Sequence, residues 1–207
     1  MKNKIIIAVT LLVSASLLQS CGFTNKKKSA DPEVGSNMMQ SMRSTMDKMD
    51  SIPMTGDFDL DFANMMIIHH QAAIDMSMEE AENGTDPWIK KMAQNIIVSQ
   101  KTEIEHLQQF IENYEMPEAD TLMAEKNNEL SDAMTAMLDK MRGIETTGDT
   151  DKDFVLMMIP HHESAITMAE VELLNGTQPE LKTMAENMAA VQKMEVNYFN
   201  AWLSNQE

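Results

Sequence analysis

"DFANMMIIHHQAAIDM", Asp61 to Met76, and "DFVLMMIPHHESAITM", Asp153 to Met168, lie ninety-two residues apart, and together they decide how this chain folds. In each, two adjacent histidines follow two adjacent methionines in a helix-like run, and the two stretches hold four of the five histidines. Aligning His69 with His161 extends the match without a gap from Asp61–Asn113 onto Asp153–Asn205, with roughly two positions in five identical. One unit is written twice.

Each copy reads as helix, Asn-Gly-Thr-x-Pro, helix. Asn83-Gly84 and Asn175-Gly176 are helix stops, in which glycine is expected to take the left-handed conformation without a Cβ clash. Thr85-Asp86-Pro87 and Thr177-Gln178-Pro179 restart a helix, with proline tolerated in the first turn. A Met-rich helix precedes each hairpin: Met42, Met46 and Met49 align with Met134, Leu138 and Met141 at three- and four-residue steps. The pattern predicts helices over 37–50, 59–83, 87–114, 118–142, 151–175 and 178–205, and no strand. Two hairpins that each expose an apolar stripe bury it against one another. The expected fold is all-α, a four-helix bundle of two repeated αα-hairpins with pseudo-twofold symmetry and two accessory Met-rich helices. Repeat one covers about 37–114 and repeat two about 118–206, within a bundle domain of 37–207.

At 100° per residue, one face of the first hairpin helix collects Phe62, Met66, His69, Ala73, Met76 and Glu80. In the second copy that face is Phe154, Met158, His161, Ala165, Met168 and Glu172, the same six types. His69 and His161 are thus expected to face the interior, with His70 and His162 at the edge of the stripe. On the partner helices the expected seams are Met92, Ile96, Ser99, Glu103, Phe110 and Met184, Met188, Val191, Glu195, Trp202. Glu103 and Glu195 then fall in the middle of apolar faces, where a carboxylate is costly unless paired or bound to a cation. The expected partner is a central histidine, or a metal that the histidine also holds.

The first twenty residues read as an export signal. Lys2 and Lys4 precede a short apolar run, Ile5 to Leu18, too short for a comfortable membrane span. It ends in Leu18-Gln19-Ser20-Cys21, which resembles a bacterial lipobox and makes Cys21 the expected lipidation site. Residues 21–36 read as a polar tether. Without residues 1–20 the chain keeps 14 basic and 33 acidic residues, 14 − 33 = −19. Such a surface repels nucleic acid and attracts cations. Cys21 is the sole cysteine, so soft-metal chemistry must use other atoms.

Those atoms are abundant. Beyond residue 20 there are 22 methionines and only 10 leucines. The two residues have similar bulk and helix propensity, so packing gives no reason for the inversion. Flexible core filling accounts for part of it. Thioether is a soft ligand that cannot be protonated. With imidazole it suits Cu(I), and by the same logic Ag(I), far better than Mg²⁺, Ca²⁺ or Mn²⁺. Met65–His69 and Met66–His70 are i,i+4 pairs, so sulfur and imidazole can reach one ion. The candidate ligands are His69, His70, His161, His162, Met65, Met66, Met76, Met157, Met158, Met168, Glu103 and Glu195. Imidazole binds metal only when neutral, so affinity is expected to weaken below about pH 6.5.

The paired His-His after Met-Met, the following Ala-Ile-x-Met, the Asn-Gly-Thr-x-Pro turn and the Gln-Lys-x-Glu of the next helix resemble domain-of-unknown-function family 305. The resemblance covers nearly all of residues 37–206. It implies a ferritin-like helical fold, secretion from a bacterial cell and, as in some members, periplasmic copper binding in copper tolerance. Copper, Cu(I) foremost, and silver are then the expected ions, with iron or manganese a poorer fit. The expected protein is a membrane-anchored lipoprotein, at the periplasm or cell surface, that meets a copper carrier or efflux component. The second copy departs at Pro160, where the first has Ile68. A mid-helix proline is expected to kink the helix just before the histidines, so that the two sites differ.

Two other classes fit less of the sequence. A di-iron or di-manganese oxidase of this architecture needs a Glu from two helices and Glu-x-x-His from two others. Glu103-x-x-His106 fits once, but the second copy has Glu195-x-x-Tyr198. The other class is a helical envelope protein whose His and Glu only pack the core. The balance favours a binding protein over an enzyme.

Overall fold

The structure is a computed structural model that describes residues 37–44, 48, 54–115 and 127–206. The expected signal sequence, the expected tether with Cys21, Met46 and Met49, and residues 118–126 of the expected 118–142 helix lie outside the described residues. Six helices account for most of it: α1 over 37–44, α2 Phe58–Asn83, α3 Pro87–Asn113, α4 Asn127–Arg142, α5 Thr150–Asn175 and α6 Pro179–Ser204. No strand occurs among the described residues. Predicted and observed ends agree within one residue for α2, α3, α5 and α6.

The first helices of the two hairpins, α2 and α5, form the central pair. Each buries most of its circumference between Phe58 and Glu80 or between Asp151 and Glu172, and turns one strip outward, through Gln71 and Met78 on α2 and through Thr167, Glu170 and Leu174 on α5. Helix α3 packs on α2, α6 packs on α5, and α4 lies along α5. Helix α1 buries Met38 and Met42, with Ser41 Oγ donating to Asp75 of α2. In α4, Leu130, Ala133, Met134, Met137 and Met141 point inward. The accessory helices therefore roof the central pair with thioethers.

All twelve residues of the predicted α2 and α5 stripes are buried. The partner seams are rotated from expectation. Ile89, Ala93, Ile96, Gln100, Leu107 and Phe110 line α3, while Leu181, Ala185, Met188, Gln192 and Phe199 line α6. Val191 is 38% exposed and Met92, Met184 and Trp202 are only partly buried. Bulk misled the reading. A hairpin helix approaches its neighbour most closely over small residues, so Ala93 and Ala185 mark the contact line better than Met92 and Met184.

Gly84 and Gly176 also differ from expectation. Their φ values are −60° and −59°, not left-handed, and each N–H caps its helix by donating to the carbonyl of Glu80 or Glu172 at 2.8 Å. What requires glycine is space. A Cβ at either position would collide with the carboxyl of Glu80 or Glu172, which lies folded against the turn. Positive φ occurs instead at Gly56 and Gly148, before α2 and α5.

Those two glycines belong to a second repeated motif, Thr-Gly-Asp-x-Asp-x-Asp, at 55–61 and 147–153. Its three aspartates do three jobs. Asp57 and Asp149 are N-caps, accepting from Leu60 N–H and Lys152 N–H. Asp61 and Asp153 close the turn by accepting from Thr55 and Gly56, or from Thr147 and Gly148. The middle pair reaches the other hairpin. Asp151 accepts from Thr85 N–H at 3.0 Å, Thr85 Oγ1 at 2.6 Å and Asp86 N–H at 2.8 Å. Asp59 accepts from Thr177 N–H at 2.9 Å, Thr177 Oγ1 at 2.7 Å and Gln178 N–H at 2.9 Å. Each hairpin thus holds the turn of the other, which fixes α2 against α5 and sets what meets at their crossing.

Candidate metal centre

At that crossing the four paired histidines come together. The rings of His69 and His161 face one another across the pseudo-twofold axis, centroids 3.8 Å apart and planes tilted by 41°. His70 lies 6.3 Å from His69, and His162 lies 6.2 Å from His161. All four are buried. A carboxylate stands at each end: His70 Nε2 is 2.8 Å from Glu103 Oε2, and His162 Nε2 is 2.9 Å from Glu195 Oε2. The result is a row of six groups, Glu103, His70, His69, His161, His162, Glu195, running from one flank of the protein through the core to the other.

Two expectations change here. His70 and His162 are not edge residues but as buried as the central pair, and they, rather than His69 and His161, are the partners of the glutamates. Glu103 and Glu195 sit at the border of their faces, with side chains 21% and 12% exposed, because the rotated seam moves them outward. Pro160, in contrast, leaves no mark on these distances. Helix α5 continues through it, and both His–Glu contacts and both His–His spacings agree within 0.1 Å between the copies.

At His69 and His161 the electrostatics favour neutral rings. Burial, followed by the neighbouring imidazoles, holds His69 and His161 well below the ordinary histidine value. A neutral imidazole offers one lone pair for an ion and one N–H. None of the eight ring nitrogens finds a well-directed hydrogen bond; even at 2.8–2.9 Å the glutamate oxygens lie off the N–H direction. Gln100 and Gln192 add buried side-chain oxygens without partners. Sequence reasoning missed them, although identical glutamines recur four residues after Ile96 and Met188 on the contact line. Such orphaned groups are expensive in a folded interior.

This donor set fits a soft ion. Among the described residues no three His, Cys, Asp or Glu side chains converge on one metal-binding point. Imidazole and carboxylate come in twos: His70 with Glu103, His162 with Glu195, His69 with His161. Donors about 2.0 Å from one ion in a tetrahedral arrangement are about 3.3 Å apart, so each His–Glu pair, at 2.8 and 2.9 Å, stands at hydrogen-bonding distance and needs only a small opening to admit an ion. Further donors must be of another kind. Met65, Met66, Met76, Met157, Met158 and Met168 are all buried in the same core, on the two helices that carry the histidines. The clustered carboxylates of a di-iron or di-manganese site do not occur among the described residues.

The model for a domain of unknown function, DUF305, matches residues 13–111 and again 59–203. This chain belongs to the DUF305 family. Comparison with curated proteins gives no match. Among solved structures, CopM in its silver-bound form is 28% identical, with 71% of this chain and 95% of that one covered and a TM-score of 0.54. CopM in its Cu(I)-bound form is also 28% identical, covering 72% and 96% with a TM-score of 0.52. A DUF305 protein of Streptomyces coelicolor, at 19% identity, 73% and 95% coverage and a TM-score of 0.58, shares the fold.

Proposed function

We propose that this DUF305 protein binds Cu(I), and Ag(I) in the same way, and buffers, sequesters or hands on the ion outside the cytoplasm. The observation that carries the reading is the buried row of four imidazoles whose ring nitrogens lack directed partners, set among thioethers on α2 and α5. His69, His70, His161 and His162 are the nitrogen donors, the six methionines named above the sulfur donors, and Glu103 and Glu195 the carboxylates at either mouth. The likeness to CopM, which has been solved with Cu(I), Cu(II) and silver, supports the choice of ion. In this reading the ion is cargo.

Lipidation at Cys21 would hold the bundle at a membrane surface. No described helix is long and apolar enough to cross a membrane. Mass spectrometry of the membrane fraction is expected to show an acylated Cys21 terminus; an unprocessed Met1 terminus in the cytosol overturns that address.

Replacing Met65, Met66, Met76, Met157, Met158 and Met168 by leucine keeps volume and helix propensity, so the bundle stays folded. The expected result is unchanged circular dichroism with Ag(I) and Cu(I) affinity reduced at least tenfold. Unchanged affinity would show that the sulfurs only pack. Acid release is also informative. Because burial lowers His69 and His161, their share of ion binding persists below the pH 6.5 expected of free imidazole.

A further inference from the structure

The core is duplicated, but its rim is not. On α3, Glu103 turns a buried Oε2 toward His70 while its side chain keeps contact with solvent. One turn further on is His106, the fifth histidine, exposed and unused by the buried row. Side chains three residues apart on a helix are neighbours, with Cβ atoms about 5–6 Å apart. The other positions one turn from His106 are Thr102, Gln109 and Phe110, so no lysine or arginine on α3 competes for the place. On α6 the same register gives Glu195 and then Tyr198, 61% exposed, with Met194 at 56% nearby.

We propose that Glu103 and His106 form an outer site for a divalent copper ion on repeat one, completed by water, and that repeat two has no counterpart. A carboxylate oxygen with an imidazole nitrogen is a borderline-hard donor pair, and Cu²⁺ binds such pairs most strongly among the first-row divalent ions. The phenol of Tyr198 offers an oxygen in place of the imidazole nitrogen and is a poor substitute. Glu103 is common to both sites, one oxygen toward His70 and one toward the surface, so the outer ion sits at one mouth of the row. On α6 the positions one turn from Glu195 are Val191, Gln192, Tyr198 and Phe199, and none is a histidine. This extends the proposed function, yet the outer pair holds its ion whether or not the buried row is filled.

The test is Cu(II) chloride titrated into the metal-free full chain, followed by electron paramagnetic resonance and by competition with a chelator of known affinity. Ag(I) is titrated in parallel. His106→Gln lies at an exposed position and leaves the fold intact; it is expected to lose one Cu(II) equivalent, or at least tenfold in affinity, with Ag(I) binding unchanged. Tyr198→His is expected to gain one equivalent. Unaltered Cu(II) binding in His106→Gln, or no gain in Tyr198→His, overturns the proposal. Wild-type protein that takes no Ag(I) or Cu(I) would instead defeat the function proposed above, and the Cu(II) comparison would still decide the outer site.

Discussion

Asp151→Ala is expected to cost about 3–4 kcal/mol of folding stability, and Asp59→Ala a similar amount. Each carboxylate accepts three hydrogen bonds from the opposite hairpin's turn, at 2.6–3.0 Å. Hydrogen bonds to a charged group contribute roughly 1.5–3 kcal/mol each, and water recovers part of that at a partly exposed turn. The loss is a large fraction of a typical domain's stability of about 5–15 kcal/mol. Asp139→Ala, whose carboxylate pairs with Arg142 at the surface, is the control and is expected to change stability by less than about 1 kcal/mol. Urea midpoints on metal-free protein measure all three. A loss below about 1 kcal/mol for both Asp151 and Asp59 would mean that the hairpins dock through apolar packing alone.

Stability is also expected to fall as the pH rises from about 6.5 to 9. Glu80 is pushed up to about 9 by burial, then by its hydrogen bond to Asp151 and that carboxylate's charge. Glu172 is pushed up to about 9 by burial, then by the charge and hydrogen bond of Asp59. Asp151 behaves oppositely: burial would raise it, but the hydrogen bonds from Thr85 and Asp86 outweigh that and hold it below the usual carboxylate value. The glutamates are therefore the proton donors. Between their ordinary value of 4.5 and about 9 the native state holds two protons that the unfolded chain has released, so each rise in pH favours unfolding. The limiting slope is about 1.4 kcal/mol per pH unit for each site. Below pH 6.5 the lowered His69 and His161 act with the other sign, because the unfolded chain takes up protons that the native core refuses. The two effects oppose one another between about 4.5 and 6.5, leaving a plateau there and a decline above it. Glu80→Gln with Glu172→Gln keeps the shape and a hydrogen-bond donor, and is expected to remove most of that decline. Thermal melts of metal-free protein from pH 5 to 9 test it; an equally steep decline in the double variant would place the titrating groups elsewhere.

The sequence made the duplication, the ends of α2, α3, α5 and α6, and the α2 and α5 stripes legible, because all three are local or periodic properties. An identical stripe in both copies leaves little freedom in which face turns inward. The faces of α3 and α6 were harder to read. A helix at the periphery buries one narrow side, and a phase taken from its bulkiest residues is easily wrong by one position, which moved Glu103 and Glu195 from the middle of a face to its border. The glycines of the Asn-Gly-Thr turns were correctly read as stops, but for a conformational reason when the real one is the carboxyl packed against them. The Thr-Gly-Asp-x-Asp-x-Asp repeat was visible, yet nothing local says that its middle aspartate binds a turn far along the chain. At the centre, the His pairing followed from the i,i+1 doublets only once α2 and α5 had been set against one another by those distant contacts.

The reciprocal hold between the hairpins has an architectural consequence. Its two halves join residues 66 and 118 positions apart in the chain. Closing the longer loop costs only about 0.5 kcal/mol more than closing the shorter, because closure entropy grows with the logarithm of length. Connectivity therefore matters little to the assembled object. What makes the two halves one body is the exchange of grips, and that exchange works as well between two chains as within one. The molecule is built as a dimer of hairpins joined by one linker, and the reciprocal grips about their shared axis keep the histidines of the two copies in register.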